Sequence, residues 1–306
     1  MSRLHSRKEN PVVKTLIYVV LIVLTILSLF PFVIMVVNST RNTPEIQTHA
    51  VSLIPSKYLL QNWAVFGGKT FNPGRGFMNS FIISAGATVC TVYFSTLTAY
   101  ALVAYRWKMR DAFLTLILCV MMIPPTVTSI GTYQFMYKIG LTNNLLALII
   151  PAIAAPSSVF FMRQFMLASL PLELLDSARI DGSKEFRTFN QIAMPIMKPA
   201  MATQAIFCFV NSWNQLFLPS ILLTRNELYT MPIMVSQLKG DIYKVEYGAV
   251  YLGLTLTVLP LFIIYFALSK YIIAGVALGG VKGLDGKRSI RSWQKLWTDF
   301  GFWEIF

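Results

Sequence analysis

The sequence predicts an all-α membrane protein with six transmembrane helices and one structured cytoplasmic loop. The 306-residue chain is 55% hydrophobic and only 13% charged, whereas a soluble domain carries about 25% charge. Its apolar runs approach the length that crosses a bilayer as a helix. The longest polar interruption in the second half, Leu170–Pro199, lies between two such runs. A loop this long exceeds what a simple reversal of the chain needs.

The predicted order begins with a cytoplasmic segment at 1–14, continues with a transmembrane domain at 15–281 and ends with a basic and aromatic cytoplasmic tail at 282–306. Within the domain, the spans are expected at 15–37, 79–104, 112–135, 145–162, 200–223 and 247–276, and a cytoplasmic loop at 163–199.

Basic residues predict the orientation. Arg3, Arg7 and Lys8 precede the first span, and Arg106 and Lys108 follow the second. Cytoplasmic flanks of membrane helices are enriched in Lys and Arg, so both termini are expected in the cytoplasm. The net charge of +13 is assigned to this rule and to contact with the lipid bilayer. Nucleic acid is not an expected partner, because no basic stripe with interleaved aromatics lies outside the apolar runs.

Two prolines interrupt the third predicted span. Pro124 and Pro125 must disrupt the helix there. Irregular backbone at membrane depth is tolerated where it is buried in protein or lines water. The disruption therefore either borders a translocation pathway or is a packed kink without substrate contact, and both interpretations stay open.

The fifth predicted span carries polar side chains at its middle. Asn211, Trp213, Asn214 and Gln215 lie there, and amides at bilayer depth are costly unless they face the bundle or a cavity. They are candidates for the lining of a pathway. The alternative is that they hydrogen-bond neighbouring helices.

The long loop has the pattern of a helix, a turn and a second helix. Glu173 and Asp176 lie early in the first helix, where the helix dipole favours acids. Gly182 breaks the run, as a C-terminal glycine does. Ser183 is expected to cap a second helix, which Pro195 and Pro199 then end.

The second helix of the loop is expected to project an apolar face. Phe186, Phe189 and Ile192 recur at helical spacing. A short helix beside a glycine turn suits insertion into a partner's groove. The alternative is an amphipathic loop that lies on the membrane surface.

The same residues resemble a known family. Asp176-Ser177-Ala178 followed by Gly182, Ile192 and Pro195 resembles the EAA loop of ABC-importer permease subunits. Asp176 replaces the usual Glu and Ser177 the usual first Ala. The string from Ala178 to Gly182 resembles the variant found in sugar permeases of the maltose type. By resemblance, the residues that couple to an ATPase subunit are Glu173, Asp176, Ser177, Ala178, Arg179, Asp181, Gly182, Phe186, Ile192 and Pro195.

Trp213-Asn214 followed by Phe217-Leu218-Pro219 resembles the fifth-span motif of the same family. In that reading the amides hydrogen-bond sugar hydroxyls and an aromatic ring stacks on the sugar. Together with the two prolines of the third span, these residues are the candidates for the pathway: Asn211, Trp213, Asn214, Gln215, Pro124 and Pro125.

The resemblance implies a permease subunit of an ATP-driven importer for carbohydrates, with an oligosaccharide as the expected substrate. Such a subunit forms half of the translocation pathway in a bacterial cell membrane and couples to its ATPase through Leu170–Pro199. The implied partners are a second, non-identical permease, a pair of ATP-binding subunits and an extracytoplasmic sugar-binding protein. ATP and magnesium are expected on the partner ATPase and no cofactor in this chain.

The residues contain no catalytic or phosphate-binding pattern. Gly286-Lys287 lacks the glycine five residues upstream that a P-loop needs, since Val281 stands there. His5 and His49 are isolated, so no metal site and no enzyme activity are expected. Two other functions stay open: an ABC permease for amino acids, peptides or polyamines, and an autonomous carrier or channel that needs no ATPase.

Overall fold

The computed structural model describes residues 11–68, 72–239 and 245–281, with side chains up to residue 266. Every regular element in those ranges is helical. The predicted tail at 282–306 lies outside the described residues.

The helices have the following bounds. They are α1 (Pro11–Ser39), α2 (Thr43–Thr48), α3 (Leu59–Phe66), α4 (Pro73–Ala104), α5 (Arg110–Met121), α6 (Pro125–Lys138), α7 (Leu146–Ile149), α8 (Pro156–Ser169), α9 (Leu172–Ile180), α10 (Glu185–Thr188), α11 (Met194–Asn214), α12 (Phe217–Leu222), α13 (Met231–Lys239) and α14 (Tyr247–Val281). Single 3₁₀ turns span Ile150–Ile153 and Asn226–Leu228, and a π turn spans Phe189–Ala193.

Four helices are long and apolar enough to cross a bilayer: Val12–Ser39, Pro73–Ala104, Glu185–Asn214 and Tyr247–Phe266. Two bent pairs of shorter helices bring the number to six if each pair is one span. The predicted fold class, an all-α membrane protein, is therefore confirmed for the described residues.

The third and fourth predicted spans are each broken. Arg110–Met121 and Pro125–Lys138 meet at 100°, so the span expected at 112–135, with its predicted disruption at the two prolines, is two helices with a corner. Leu146–Ile153 and Pro156–Ser169 meet at 41°. In both cases the second helix begins at a proline, whose fixed φ suits a first turn and whose missing N–H removes a bond to the preceding turn.

The fifth span differs most from the prediction. The loop's second helix was expected to end at Pro195 and Pro199, with a new span at 200–223. Instead, Glu185–Asn214 is one helical stretch of 30 residues. Pro195 lies two residues after the π turn Phe189–Ala193. A local π adjustment re-satisfies backbone groups that a proline frees, so the helix continues through it. The span then ends at Asn214 rather than at 223.

The described residues of Met1–Gly76 and Met231–Leu259 form one compact unit. Inside it, the Asn62 side chain donates to the carbonyls of Ser39, at 2.8 Å, and Arg41, at 2.9 Å. A Cβ on Gly248 would clash with the Arg41 carbonyl. Glycine is therefore required where the start of α14 passes this chain segment.

The second unit comprises the described residues of Phe77–Thr230 and Pro260–Phe306. A continuous apolar core in this unit joins α4, α8, α9 and α11. Its buried residues include Tyr100, Met162, Met166, Leu175, Phe189, Ala193, Met197 and Ala200. The core therefore holds the long loop against the membrane helices.

Candidate functional site

The loop Leu170–Pro199, called the docking hairpin from here on, turns at a glycine. Gly182 has φ +78°, and its N–H donates to the Arg179 carbonyl at 3.0 Å. The Ser183 N–H donates to the Ala178 carbonyl at 2.9 Å. These two bonds form a Schellman motif, which needs a left-handed residue at the position of Gly182. The predicted glycine turn is thus present in the structure.

The second helix of the docking hairpin begins differently from the prediction. Its N-cap is Lys184 and not Ser183, and no side chain caps it. The Ser183 hydroxyl instead accepts a hydrogen bond from Thr188 at 2.9 Å. Because the Ser183 hydroxyl is bound to the Thr188 side chain, it does not cap the helix.

One set of hairpin residues faces inward. Leu175, Ala178 and Phe189 are buried, and Ile192 is half-buried against the same core. The structure therefore separates Phe189 from Phe186, although the helical spacing predicted one shared face. Ala178 fills the interior of the hairpin rather than its surface.

A second set faces outward and forms an apolar tip. Ile180 is 87% exposed and Phe186 is 67% exposed, one on each side of the Gly182 turn. A Cβ placed on Gly182 would have no atom of another part of the chain within 4 Å, so the tip is open. The other predicted coupling residues with exposed side chains are Glu173, Asp176, Ser177, Asp181 and Pro195.

Arg179 is the centre of a charged cluster within the hairpin. Its Nε donates to Glu185 Oε1 at 2.8 Å and its Nη1 to Asp176 Oδ1 at 3.0 Å. Its Nη2 donates to the Ala104 carbonyl at 3.3 Å. The guanidinium also lies over the Tyr105 ring, 5.3 Å from its centroid, a cation–π geometry.

The pKa values of two groups in the cluster, Arg179 and Tyr105, are both raised. Hydrogen bonding to Glu185 raises the pKa of Arg179 above its ordinary value, so the guanidinium stays charged. Burial raises the pKa of the Tyr105 phenol, and a hydrogen bond to Glu185 adds to the rise. Tyr105 is therefore neutral at physiological pH.

The amide group lies at the opposite end of the helix Glu185–Asn214. A helix of this length spans about 45 Å. Asn211, Asn214 and Gln215 have exposed side chains. Within the part of the chain that the structure describes, none of these three side chains forms a hydrogen bond. They are available to a ligand or to another chain.

Trp213 does not share this exposure. It is 1% exposed, packs edge-on against Phe77 at 5.5 Å and stacks on Phe209 at 5.6 Å between ring centroids. Its ring is therefore enclosed by the chain's own aromatics, and the predicted stacking on a sugar finds no open face. We assign Trp213 a packing role that holds the end of the helix.

Pro124 and Pro125 form the corner between α5 and α6. Both are exposed, as is Met122 beside them. The structure does not bury this corner as a packed kink within the chain. It leaves an uncharged, irregular stretch of backbone open on the surface of the helix bundle.

Several residues of the site were not predicted. Tyr100, at the end of α4, donates from its hydroxyl to Glu185 Oε2 at 3.1 Å. Tyr105 follows α4 directly. An aromatic residue near the end of an apolar span is too common to mark a site, so no sequence signal separates these two tyrosines from other interfacial aromatics.

Asn143, in the short turn before α7, was also not predicted to have a role. It is in the left-handed region with φ 54°. Its Oδ1 accepts bonds from the Thr224 N–H at 2.7 Å and the Arg225 N–H at 3.2 Å, and its own N–H donates to Leu222 at 2.8 Å. This residue fixes the chain that follows α12.

Helices long enough to cross a membrane and a hairpin with an exposed apolar tip are features of a membrane protein that binds a partner. Comparisons with known proteins show to which family the chain belongs. The family described as "Binding-protein-dependent transport system inner membrane component" matches residues 92–277. The chain belongs to this family.

Two curated relatives align along nearly their whole length. The chain is 35% identical over 280 residues to the arabinooligosaccharides transport system permease protein AraQ of Halalkalibacterium halodurans, covering 91% of this chain and 100% of the relative. It is 34% identical over 265 residues to the lactose transport system permease protein LacG of Rhizobium radiobacter, covering 87% and 95%.

One solved structure shows the same fold. A bacterial ABC transporter involved in the import of the acidic polysaccharide alginate matches with a TM-score of 0.72 and 19% identity, over 89% of this chain and 100% of that one. The chain is accordingly a multi-pass inner membrane permease of a binding-protein-dependent ABC importer. It is not catalytic: an ATPase subunit binds ATP, and a solute-binding protein is the other class of partner.

Proposed function

We propose that this chain forms half of the translocation pathway of an importer for a neutral oligosaccharide and couples to the ATPase through the docking hairpin. A second, non-identical permease supplies the other half. The observation that carries the proposal is the continuous helix Glu185–Asn214. One end belongs to the hairpin, and the other presents the exposed amides.

The hairpin supports docking through its tip. Ile180 and Phe186 are the most exposed apolar side chains of the hairpin, and they flank a turn whose backbone is open. Exposed apolar groups rimmed by polar residues mark interaction sites. Asp176, Ser177 and Asp181 supply such a rim. An apolar short helix that enters a groove on the ATPase fits this arrangement.

The pathway is assigned to the amide end and to the proline corner. Asn211, Asn214 and Gln215 offer donors and acceptors that suit hydroxyl groups. The corner at Pro124–Pro125 presents irregular backbone, which is tolerated at membrane depth where it lines a cavity. We propose that both border the substrate, with each bent helix pair acting as one span of six.

A neutral sugar is the substrate class that the residues favour. The stretch 211–215 carries no charged side chain, and burying an anion there would leave its charge unpaired. The two relatives described above are named for arabinooligosaccharides and lactose, which are neutral. The basic segments around the first two spans support a cytoplasmic position for both termini and for the hairpin.

Uptake by the complete importer tests this proposal. The two permeases, the ATPase and the solute-binding protein are reconstituted in vesicles, and labelled arabinotriose, lactose, an alginate trisaccharide and a tripeptide are offered separately. ATP-dependent uptake of a neutral sugar is expected. Uptake of the tripeptide instead would assign another solute class. Uptake by the purified chain without the ATPase would show an autonomous carrier and overturn the coupling role.

A further inference from the structure

The contacts of Arg179 run inward, away from the apolar tip. They join three segments of the second unit: α9 through Asp176, α10 through Glu185, and the end of α4 through the Ala104 carbonyl. An arginine in a docking segment would ordinarily be assigned to a carboxylate of the partner. Here its donors are already directed to groups of its own chain.

Glu185 completes the connection. Its two carboxylate oxygens accept from different elements, Oε1 from Arg179 at 2.8 Å and Oε2 from the Tyr100 hydroxyl at 3.1 Å. Tyr100 is 2% exposed and lies against Phe189, 5.3 Å between ring centroids. Its position is therefore fixed by packing, and its hydroxyl holds the first turn of α10 against α4.

We propose that Arg179, Glu185 and Tyr100 form a latch that makes the docking hairpin, α4 and the helix Glu185–Asn214 move as one body when the ATPase subunits close. The proposal rests on the docking role of the hairpin given above. Glu185 is then a positioning residue: it touches neither the ATPase nor the sugar and acts by fixing the angle at which the hairpin meets the span.

The chemistry suits a mechanical connection. The hydrophobic effect that buries Leu175 and Phe189 is non-directional. A charged hydrogen bond sets distance and direction, and the planar guanidinium with its fork of donors constrains both. The Arg179 guanidinium also contacts the face of the Tyr105 ring. Force applied at Ile180 therefore reaches α4 through bonds of fixed geometry.

Distances between spin labels test the latch without knowledge of the substrate. In a chain whose cysteines are replaced by serine, labels are placed at Phe94 on α4 and Arg187 on α10 within the complete importer. The unmodified latch is expected to give one narrow distance distribution, the same in the resting state and with ATP and vanadate. Glu185→Gln and Tyr100→Phe are expected to broaden it and to make it differ between the two states.

Uptake of labelled arabinotriose per ATP hydrolysed gives a second readout. Each latch variant is expected to lower this ratio about tenfold, the scale of one hydrogen bond to a charged group, while ATP hydrolysis continues. Asp111→Asn and Tyr137→Phe remove the same chemical groups outside the latch and are expected to change neither readout. The double variant is expected to be no worse than Glu185→Gln alone, since both act through one bond.

The outcomes separate the latch from the docking role. If the label distances in both variants match those of the unmodified latch, the latch is wrong, and docking still stands if the hairpin cross-links to the ATPase. If the unmodified hairpin fails to cross-link to the ATPase, the docking role is wrong. The latch, which rests on that role, is then wrong as well. Should Glu185→Gln reduce assembly, Tyr100→Phe carries the test because it removes one oxygen atom only.

Discussion

The two ends of the helix Glu185–Asn214 are held by different kinds of contact. At the hairpin end, Arg179 and Glu185 bind groups of their own chain, and apolar side chains are left exposed. At the other end, the Trp213 ring packs inside, and the amides of Asn211 and Asn214 are exposed. In the proposed mechanism, charges turned inward give rigidity where the ATPase applies force. Amides turned outward give hydrogen-bonding groups where the proposed sugar passes.

This contrast implies separable defects. Damage at the hairpin end should lower transport per ATP without changing which sugar is carried. Damage at the amide end should change sugar affinity without changing attachment of the ATPase.

Gly182→Pro should abolish transport while the chain still inserts. Proline cannot adopt the φ of +78°, and it lacks the N–H that donates to the Arg179 carbonyl. Such a change destabilises the local fold by about 3 kcal/mol or more. Uptake and the amount of chain in the membrane are the measurements. Gly140, with φ +72°, is the matched control, since Gly140→Pro should leave cross-linking to the ATPase intact. Normal uptake by Gly182→Pro would contradict the docking role.

Trp213→Ala should lower the amount of folded chain. Removal of a fully buried aromatic side chain costs about 3–5 kcal/mol, and the packing of Phe77 and Phe209 around the ring would be lost. Thermal aggregation of the detergent-solubilised chain measures this. A variant that is as stable as the parent but has altered sugar affinity would restore the predicted contact between this ring and the sugar.

Ile180→Asp should weaken attachment of the ATPase about 30-fold, the effect of losing one interface anchor. Co-purification of the ATPase at graded salt measures it. Ile54, which is 77% exposed in the other unit, provides the control: Ile54→Asp should leave attachment unchanged. Equal recovery of the ATPase with both variants would mean that the tip is not the contact.

Asn214→Ala should raise the KM for the sugar about fivefold, the loss of one neutral hydrogen bond, with ATPase attachment unaffected. Gln61→Ala removes another exposed amide far along the chain and should leave the KM unchanged. An unchanged KM for Asn211→Ala, Asn214→Ala and Gln215→Ala together would move the pathway away from this group.

Attachment of the ATPase to the docking hairpin should barely change with pH between about 6 and 9. The pKa values of Arg179 and Tyr105 are raised in the folded chain. A raised pKa gives a contribution to stability that is complete below the unfolded value and is lost only as the pH rises through the folded one. For Tyr105 that loss begins above about 10. Cross-linking yield across this range measures it, and a fall between pH 7 and 9 would show that the cluster titrates.

Much of this architecture follows from the sequence. Charge depletion and apolar runs predicted the fold class, and the glycine at 182 predicted the turn, because only a left-handed residue closes a Schellman motif at low cost. Pro124–Pro125 predicted a broken span, although not its 100° corner. The spacing of Phe186 and Phe189 did not predict that one is exposed and the other buried, since that depends on how the hairpin meets α4.

The remaining differences come from contacts that are distant in the sequence. Pro195 and Pro199 predicted the end of a helix, but the π turn before them allows it to continue. Trp213 was grouped with its polar neighbours, but its burial depends on Phe77, more than a hundred residues away in the sequence. The bond between Tyr100 and Glu185 spans 85 residues, and no local pattern marks either partner.

The most direct test of the central claim is a cross-link from the hairpin tip. With Ile180→Cys in a chain whose own cysteines are replaced by serine, a thiol-specific cross-linker is applied to intact cells and to inverted vesicles. If the tip docks as proposed, position 180 forms an adduct with the ATPase subunit and is not labelled by an impermeant reagent outside intact cells. Labelling of position 180 from outside the cell, without any ATPase adduct, would contradict it.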